Sequence, residues 1–286
     1  MNRLNLVRKE DMPPADDFVL FVSLLSGKGG VGKSILTFNL AERLETLGYR
    51  ILVVDADFSS GNQHVLANVD CDYGVAQIAS GQLSLREAVT NYRDNLDLLV
   101  TGSSGPVSQL HDPISAASLM QKLHDQTSDY DFVLIDHASG VSEIAAAIAH
   151  ASDINLLLLV PELTSIMDAY GLYKFLISIH DRLHCLLLIN RVESDDEGDY
   201  IHKKFGAIAE RFLDNVPGLA GCLPEDKAVR NAVACQRSLA ETAEESPILE
   251  ALTATAIRLV KYLPTGRSFI QSKSINKTTA MADIRR

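Results

Sequence analysis

One segment of eight residues constrains this chain more than any other. It runs Gly27-Lys28-Gly29-Gly30-Val31-Gly32-Lys33-Ser34 and fits the spacing G-x-x-x-x-G-K-[ST]. A short apolar run precedes it, and a helical pattern of apolar residues follows it. In this context the glycines let backbone N–H groups surround phosphate oxygens, and the start of the helix adds a partial positive charge. The segment therefore predicts a phosphate-binding loop between a buried strand and a helix.

The loop also supplies side chains for phosphate and metal chemistry. Lys33 is predicted to reach the β- and γ-phosphates, and Ser34 to offer its hydroxyl to Mg²⁺. Lys28 is a second lysine near the start of the loop, where the spacing does not require one. The predicted nucleotide contacts in the loop are Gly27, Lys28, Gly29, Gly30, Val31, Gly32, Lys33 and Ser34.

Short apolar runs alternate with longer helical patterns along the rest of the chain. The alternation predicts an α/β fold with a mostly parallel, doubly wound sheet. The predicted strands are Phe18–Leu25, Ile51–Asp55, Leu96–Val100, Phe132–Asp136, Ile154–Val160, Cys185–Ile189 and Leu219–Cys222. The predicted helices are 33–48, 115–127, 142–151, 165–180, 199–213 and 247–262. We expect a single domain over 18–264, because no Pro-, Gly- or Ser-rich linker divides the 286 residues.

The two ends and one acidic run differ from this pattern. Residues 1–17 are polar and mixed in charge, and they predict a flexible segment without a secretory signal. Residues 265–286 predict a flexible, mildly basic tail without a convincing amphipathic stripe. The acidic run 193–199 predicts a solvated loop that leads into a helix. The longest apolar runs are too short to cross a bilayer. We therefore expect a cytoplasmic protein, with peripheral attachment at the inner membrane left open.

Charge and cysteine spacing narrow the classes of function. The formal net charge of −11 disfavours a broad basic surface for nonspecific DNA binding. The four cysteines are far apart and show neither C-x-x-C nor His-linked spacing. We expect reduced, partly buried thiols rather than ligands of a metal or an iron–sulfur cluster. They are Cys71, Cys185, Cys222 and Cys235.

The loop with its additional lysine resembles the deviant Walker A motif of the MinD/ParA family. In that family the lysine at the position of Lys28 reaches across a dimer interface to the partner's nucleotide. The resemblance implies an ATP-dependent homodimer that holds two nucleotides between its subunits. It also implies hydrolysis of ATP to ADP and phosphate, stimulated by a partner, with Lys28, Lys33 and Asp57 as the catalytic residues.

Carboxylates at the predicted strand ends extend the resemblance. Asp55 and Asp57 end the second predicted strand at its carboxyl edge, where ligands bind in open α/β sheets; the alternative is that they only cap a loop. The family likeness implies that Asp55 supports the Mg²⁺ environment and that Asp57 orients the attacking water. Asp136 ends a strand that resembles Walker B and implies a metal contact through water. The implied metal site comprises Ser34, Asp55 and Asp136.

Two positions depart from the family pattern. His137 follows Asp136 where the family usually has threonine, and it is predicted either to adjust turnover beside the γ-phosphate or to face a neighbouring loop. Ser59 stands where near relatives often have glycine, in the segment that ends at Asn62. A nucleotide-binding scaffold with negligible turnover therefore stays open as an alternative.

Two later segments point to the base and to a branch of the family. Asn190 matches the adenine-reading asparagine of the family, and the segment 224–229 resembles its adenine-side loop, with Pro224, Glu225 and Asp226 as the implied contacts. The two features together imply ATP rather than GTP. The segment Pro161–Tyr170 resembles the FlhG (FleN, YlxH) branch, whose members regulate flagellar number and placement. That likeness implies a protein partner such as a flagellar GTPase or regulator. A ParA-type partition ATPase is the other alternative.

Overall fold

A computed structural model describes residues 18–58, 61–101, 110 and 112–264. Over these residues the chain forms one sheet of eight strands. The strands are β1 Leu20–Ser26, β2 Ile51–Ala56, β3 Thr90–Arg93, β4 Leu96–Leu99, β5 Phe132–His137, β6 Ile154–Leu159, β7 Cys185–Val192 and β8 Gly218–Pro224. The helices are α1 Lys33–Thr46, α2 Gln63–Ala67, α3 Val75–Ser80, α4 Leu85–Ala88, α5 Pro113–Gln126, α6 Glu143–Ala151, α7 Leu163–Ile179, α8 Asp195–Leu213, α9 Lys227–Ala234, α10 Leu239–Thr242 and α11 Pro247–Val260.

The sheet has the order β3-β4-β2-β5-β1-β6-β7-β8, and its strands are parallel except for the β3–β4 pair. Successive side chains of the central strands alternate between two apolar cores. On β1, Val22 and Leu24 pack in the core that contains α1 and α11, whereas Phe21 and Leu25 pack on the face covered by α5, α6 and α7. The prediction of one mostly parallel, doubly wound α/β domain is confirmed.

The structure corrects several element predictions. Strand β3 was missed because it is a short, polar and only partly buried edge strand, so it has no continuous apolar run. Helices α2, α3, α4 and α10 have four to six residues, and α9 has eight, which is too short for a clear helical period. The remaining elements were predicted, with ends displaced by a few residues.

The acidic run is the largest error in the predicted boundaries. Helix α8 begins at Asp195 rather than near Asp199, so the predicted loop over 195–198 is wrong. The hydroxyl of Ser194 accepts a hydrogen bond from the backbone N–H of Glu197, which caps the helix. The carboxylates of its first turn lie at the positive end of the helix dipole, and that position stabilises the early start.

The phosphate loop leaves the sheet directly from β1, and its glycines are required by the backbone. Gly30 and Gly32 have φ angles of +80° and +94°, in the left-handed region that other residues rarely adopt. A Cβ on Gly27 would overlap the main chain of α7 at Asp168. Gly27 therefore lets the loop pack against α7, and Gly30 and Gly32 let its backbone turn into α1.

The described residues contain no helix long and apolar enough to cross a membrane. The predicted end segments 1–17 and 265–286 and the position of Ser59 lie outside the described residues. The four cysteines form no disulfides, and Cys235 is exposed rather than partly buried as predicted.

Candidate nucleotide and metal site

A buried ion pair lies at the centre of the site. The Nζ of Lys33, in the first turn of α1, is 2.6 Å from Oδ1 of Asp136 at the end of β5. The two side chains are 6% and 1% exposed. Removing either partner would leave a charge buried without compensation, which costs about 3–5 kcal/mol in other proteins. The lysine predicted to bind phosphate is thus already fixed beside the carboxylate predicted to hold the metal.

A second buried carboxylate lies next to the first. Asp55 pairs in register with Asp136 across β2 and β5, so both side chains stand on the same face at the carboxyl edge of the sheet. Its Oδ1 and Oδ2 accept backbone N–H bonds from Asp57 and Gln63, both 3.1 Å long. Burial, followed by the charge of Asp136, raises the pKa of Asp55 to about 7, although the two backbone bonds oppose this rise.

The donor set fits a divalent cation. Two buried carboxylates lie side by side, of which Asp136 is paired with Lys33, and oxygen ligands of this kind are those that Mg²⁺ prefers. Ser34 lies in the first turn of α1, next to Lys33. The structure therefore brings together the three predicted metal residues, Ser34, Asp55 and Asp136.

Gln63, the first residue of α2, belongs to the same cluster and was missed by sequence reasoning. Its Nε2 donates to Oδ2 of Asp136 at 2.8 Å and to the carbonyl oxygen of Ser34 at 3.1 Å. The preceding residue, Asn62, is exposed, and its carbonyl oxygen accepts bonds from the first turn of α2. No periodicity or motif distinguishes Gln63 from an ordinary polar residue at a helix start.

The other lysine of the loop has a different environment. The Nζ of Lys28 lies 2.8 Å from Oε2 of Glu162 and 3.1 Å from Oγ1 of Thr164. The hydrogen bond from Lys28, together with its charge, lowers the pKa of Glu162. The Lys28 and Glu162 side chains are 40% and 57% exposed, so this ion pair is at the surface. Lys28 therefore lies on the rim of the loop, outside the buried cluster.

The predicted base-side residues line a cleft at the start of α1. Asn190, Pro224, Glu225 and Asp226 lie around it together with Gly32. The Nδ2 of Asn190 donates to the carbonyl oxygen of Val31 at 2.8 Å, so the asparagine is tied to the phosphate loop.

The helix that follows this cleft revises the predicted loop. Oδ1 of Asp226 accepts the backbone N–H of Ala228 and caps α9. The loop predicted to continue to Val229 therefore ends at Asp226, because α9 begins at Lys227.

His137 corrects both sequence-based expectations for that position. It is buried on the face of β5 opposite to Asp136, and it points neither to the phosphate loop nor to a neighbouring loop. Its Nε2 lies 2.8 Å from Oγ of Ser23, and Ser23 lies 2.8 Å from Oγ of Ser152. Burial, followed by the charge of Lys33, lowers the pKa of His137 to about 3. The imidazole is therefore neutral and belongs to the core.

The fold and this edge of the sheet define a P-loop nucleotide-binding protein. Residues 20–189, more than half of the chain, match the family model described as an AAA domain. The chain is 32% identical to the antiactivator FleN of Pseudomonas aeruginosa, over 83% of this chain and 85% of FleN. It is 27% identical to the flagellum site-determining protein YlxH of Helicobacter pylori, over 86% of this chain and 83% of YlxH.

A solved structure has the same fold. The cell division ATPase MinD of Pyrococcus furiosus superposes with a TM-score of 0.71 at 25% identity, covering 85% of this chain and 99% of MinD. The chain therefore belongs to the MinD/ParA family of P-loop ATPases, with FleN and YlxH among its relatives. The family resemblance predicted from the loop, the strand-end carboxylates and the segment Pro161–Tyr170 is confirmed.

Proposed function

We propose that this chain is an ATP-dependent dimerisation switch that hydrolyses ATP slowly and regulates the number or placement of flagella. The observation that carries the proposal is the separation of the two lysines of the loop. Lys33 lies in the buried cluster, whereas Lys28 lies on the rim in an exposed ion pair with Glu162. Exposed ion pairs contribute about 0–1 kcal/mol, so Lys28 can leave Glu162 at small cost to contact a phosphate that a second subunit brings.

The surface around Lys28 supports a second copy of the chain as its partner. Val141, Leu163 and Met167 are 53%, 69% and 53% exposed. Leu163 and Met167 lie in the first turns of α7, directly after Glu162, and Val141 follows the turn that approaches Gly29. Exposed apolar side chains grouped beside a charged site favour association. A dimer that buried this rim would bring Lys28 to the partner's nucleotide.

Within each subunit the buried cluster would perform the chemistry. Ser34, Asp55 and Asp136 would hold Mg²⁺, which neutralises charge on the β- and γ-phosphates when it is bound. Lys33 would exchange Asp136 for phosphate oxygens, and Asp57, at the edge of the cluster, would orient the attacking water. Asn190 and residues 224–226 would contact the adenine of ATP. Hydrolysis would then remove the γ-phosphate that holds the dimer together.

The cellular process is supported by the relatives rather than by the site. YlxH is a flagellum site-determining protein, and the segment around Glu162 that resembles the FlhG branch contacts Lys28 directly. We propose that one nucleotide state binds a protein partner, such as a flagellar GTPase or regulator. Deleting the gene in the organism that carries it should change the number or position of flagella seen by electron microscopy. Unchanged flagellation would contradict this part of the proposal.

The switch is tested by Lys28→Ala and Asp57→Ala. Both variants should lower ATP turnover by at least about 100-fold, which corresponds to loss of an electrostatic or positioning contact in the transition state. Only Asp57→Ala should accumulate a dimer with ATP, because it binds ATP without cleaving it. Phosphate release and light scattering after size-exclusion chromatography measure the two effects.

Lys203→Ala is the matched control, since Lys203 is an exposed lysine on α8 outside the site. It should turn over ATP and dimerise as the wild type does. Leu163→Asp should prevent the dimer while leaving ATP binding by the monomer intact. Equal monomer populations for the wild type and Asp57→Ala under ATP would disprove the switch.

A further inference from the structure

The side chain of Gln63 is buried but only half satisfied. The residue is 0% exposed, and its two amide hydrogens reach Asp136 and Ser34. Its other amide atom, Oε1, is buried and has no hydrogen-bond partner. A buried acceptor left without a donor costs about 1–3 kcal/mol. An acceptor of this kind at the centre of a polar cluster is available to a group that carries a donor or a positive charge.

Gln63 touches every element that forms the cation site. Its backbone N–H donates to Oδ2 of Asp55, while its side chain donates to Oδ2 of Asp136 and to the carbonyl oxygen of Ser34. It is also the first residue of α2, so a movement of its side chain acts on the start of that helix. Through one residue the two carboxylates, the phosphate loop and α2 are connected.

We propose that Gln63 is a fourth residue of the cation site and that its amide exchanges partners when Mg²⁺ binds. Without the cation, one amide hydrogen of Nε2 bonds to the Asp136 carboxylate and the other to the carbonyl oxygen of Ser34. A cation at that carboxylate repels the same hydrogens. Half a turn about the terminal torsion, which has a broad energy profile, presents Oε1 to the cation or to water bound on it. The proposal rests on the Mg²⁺–nucleotide site proposed above.

The same exchange explains why a glutamine rather than an apolar residue fits this position. An amide offers donors on one side and an acceptor on the other within nearly the same volume. It can therefore donate a hydrogen bond to Asp136 when the cation is absent and provide an oxygen when the cation is present. In the structure Gln63 contacts both metal-site carboxylates, through its backbone N–H and its side chain.

The two roles of the amide are separated by paired variants. Gln63→Met keeps the volume and removes both the donor and the acceptor, whereas Gln63→Glu keeps an oxygen at the place of Oε1. If Oε1 binds the cation or its water, Gln63→Met should raise the half-saturating Mg²⁺ concentration about 10–100-fold, as loss of supporting residues does at other metal sites. Gln63→Glu should need no more Mg²⁺ than the wild type.

The measurement is the binding of a fluorescent, non-hydrolysable ATP analogue to the full-length chain as Mg²⁺ is titrated. Binding in EDTA gives the affinity of each variant without the cation, and the Mg²⁺ response of each variant is taken relative to that value. Gln77→Met is the matched control: Gln77 is also a buried glutamine, but it caps α3 through Gly74. That variant should lose stability without any shift in the Mg²⁺ titration.

Each outcome decides the proposal. A Gln63→Met titration that overlays the wild type, or a Gln63→Glu titration shifted as far as that of Gln63→Met, would overturn it. If Gln63→Met does not fold, Gln63→Glu decides alone, and a tenfold higher Mg²⁺ requirement would count against the oxygen role. If analogue binding by the wild type does not depend on Mg²⁺, the metal site itself is refuted. That result is distinguishable from a failure of the proposal for Gln63.

Discussion

Two polar clusters lie on opposite faces of the central strands: a front cluster around Asp136 and a rear cluster around His137. Asp136 and His137 are consecutive residues of β5, and they point to opposite faces of the sheet. Asp136 bonds to Lys33 and Gln63, whereas His137 bonds to Ser23, which in turn bonds to Ser152. Both clusters are buried, but only the first contains charges and an acceptor without a partner.

The rear cluster is a chain of hydrogen bonds that all run in one direction. The hydroxyl of Ser152 donates to the carbonyl oxygen of Ile148, so Ser23 must donate to Ser152. Nε2 of His137 must then donate to Ser23, which fixes the neutral tautomer with hydrogen on Nε2. The comparison teaches that burial of polar groups alone does not indicate a binding site. Unbalanced charge and an unused acceptor distinguish the front cluster from the satisfied one behind it.

The largest expected effect comes from the charge of Lys33 in the front cluster. Lys33→Ala should reduce ATP turnover by at least about 100-fold, because it removes a cation that neutralises the transferring phosphoryl group. Phosphate release under saturating ATP and Mg²⁺ measures the loss, with Lys203→Ala as the exposed-lysine control. Turnover above one third of the wild-type rate would break the distinction between the two clusters.

Substitutions in the rear cluster should change stability instead of turnover. His137→Ala leaves a cavity and removes a donor to Ser23, so the free energy of unfolding should fall by about 2–4 kcal/mol. Turnover per folded molecule should stay within about threefold of the wild type. Urea unfolding of His137→Ala, Ser23→Ala and the double variant gives the coupling energy, which should reach at least about 0.5 kcal/mol for residues in contact. Additive effects would show that the hydrogen-bonded chain contributes nothing.

A further expected effect of His137 is on the pH dependence of stability. The pKa of His137 is about 3 in the folded chain and near 6.5 when unfolded. The unfolded chain therefore takes up a proton that the folded chain refuses, and stability present above pH 6.5 is lost as the pH falls towards 3. The contribution approaches about 1.4 kcal/mol per pH unit.

Urea unfolding of the wild type and His137→Ala between pH 7 and pH 4 isolates this contribution, since every other titrating group is common to both chains. The wild type should lose stability more steeply in acid. Parallel curves would mean that His137 is not buried in its neutral form.

Much of the front cluster followed from the sequence. The glycine spacing of the loop and the apolar run before it placed Lys33 and Ser34, and the strand ends placed Asp55 and Asp136 at one edge. These predictions worked because local rules govern them: glycines with left-handed φ angles, continuous apolar strands and parallel strands that end on the same side. The sequence did not predict strand β3, because its polar residues carry no such pattern.

The sequence by itself determined the phosphate loop, the alternation of the longer strands and helices, and the family. Only the tertiary structure decided which partner each buried polar group has. Alternation along β5 requires Asp136 and His137 to face opposite ways, but the packing of α1 on one face and α6 on the other makes one cluster charged and the other neutral. Gln63 joins the front cluster through contacts 29 and 73 residues away along the chain, and no local pattern encodes such distances.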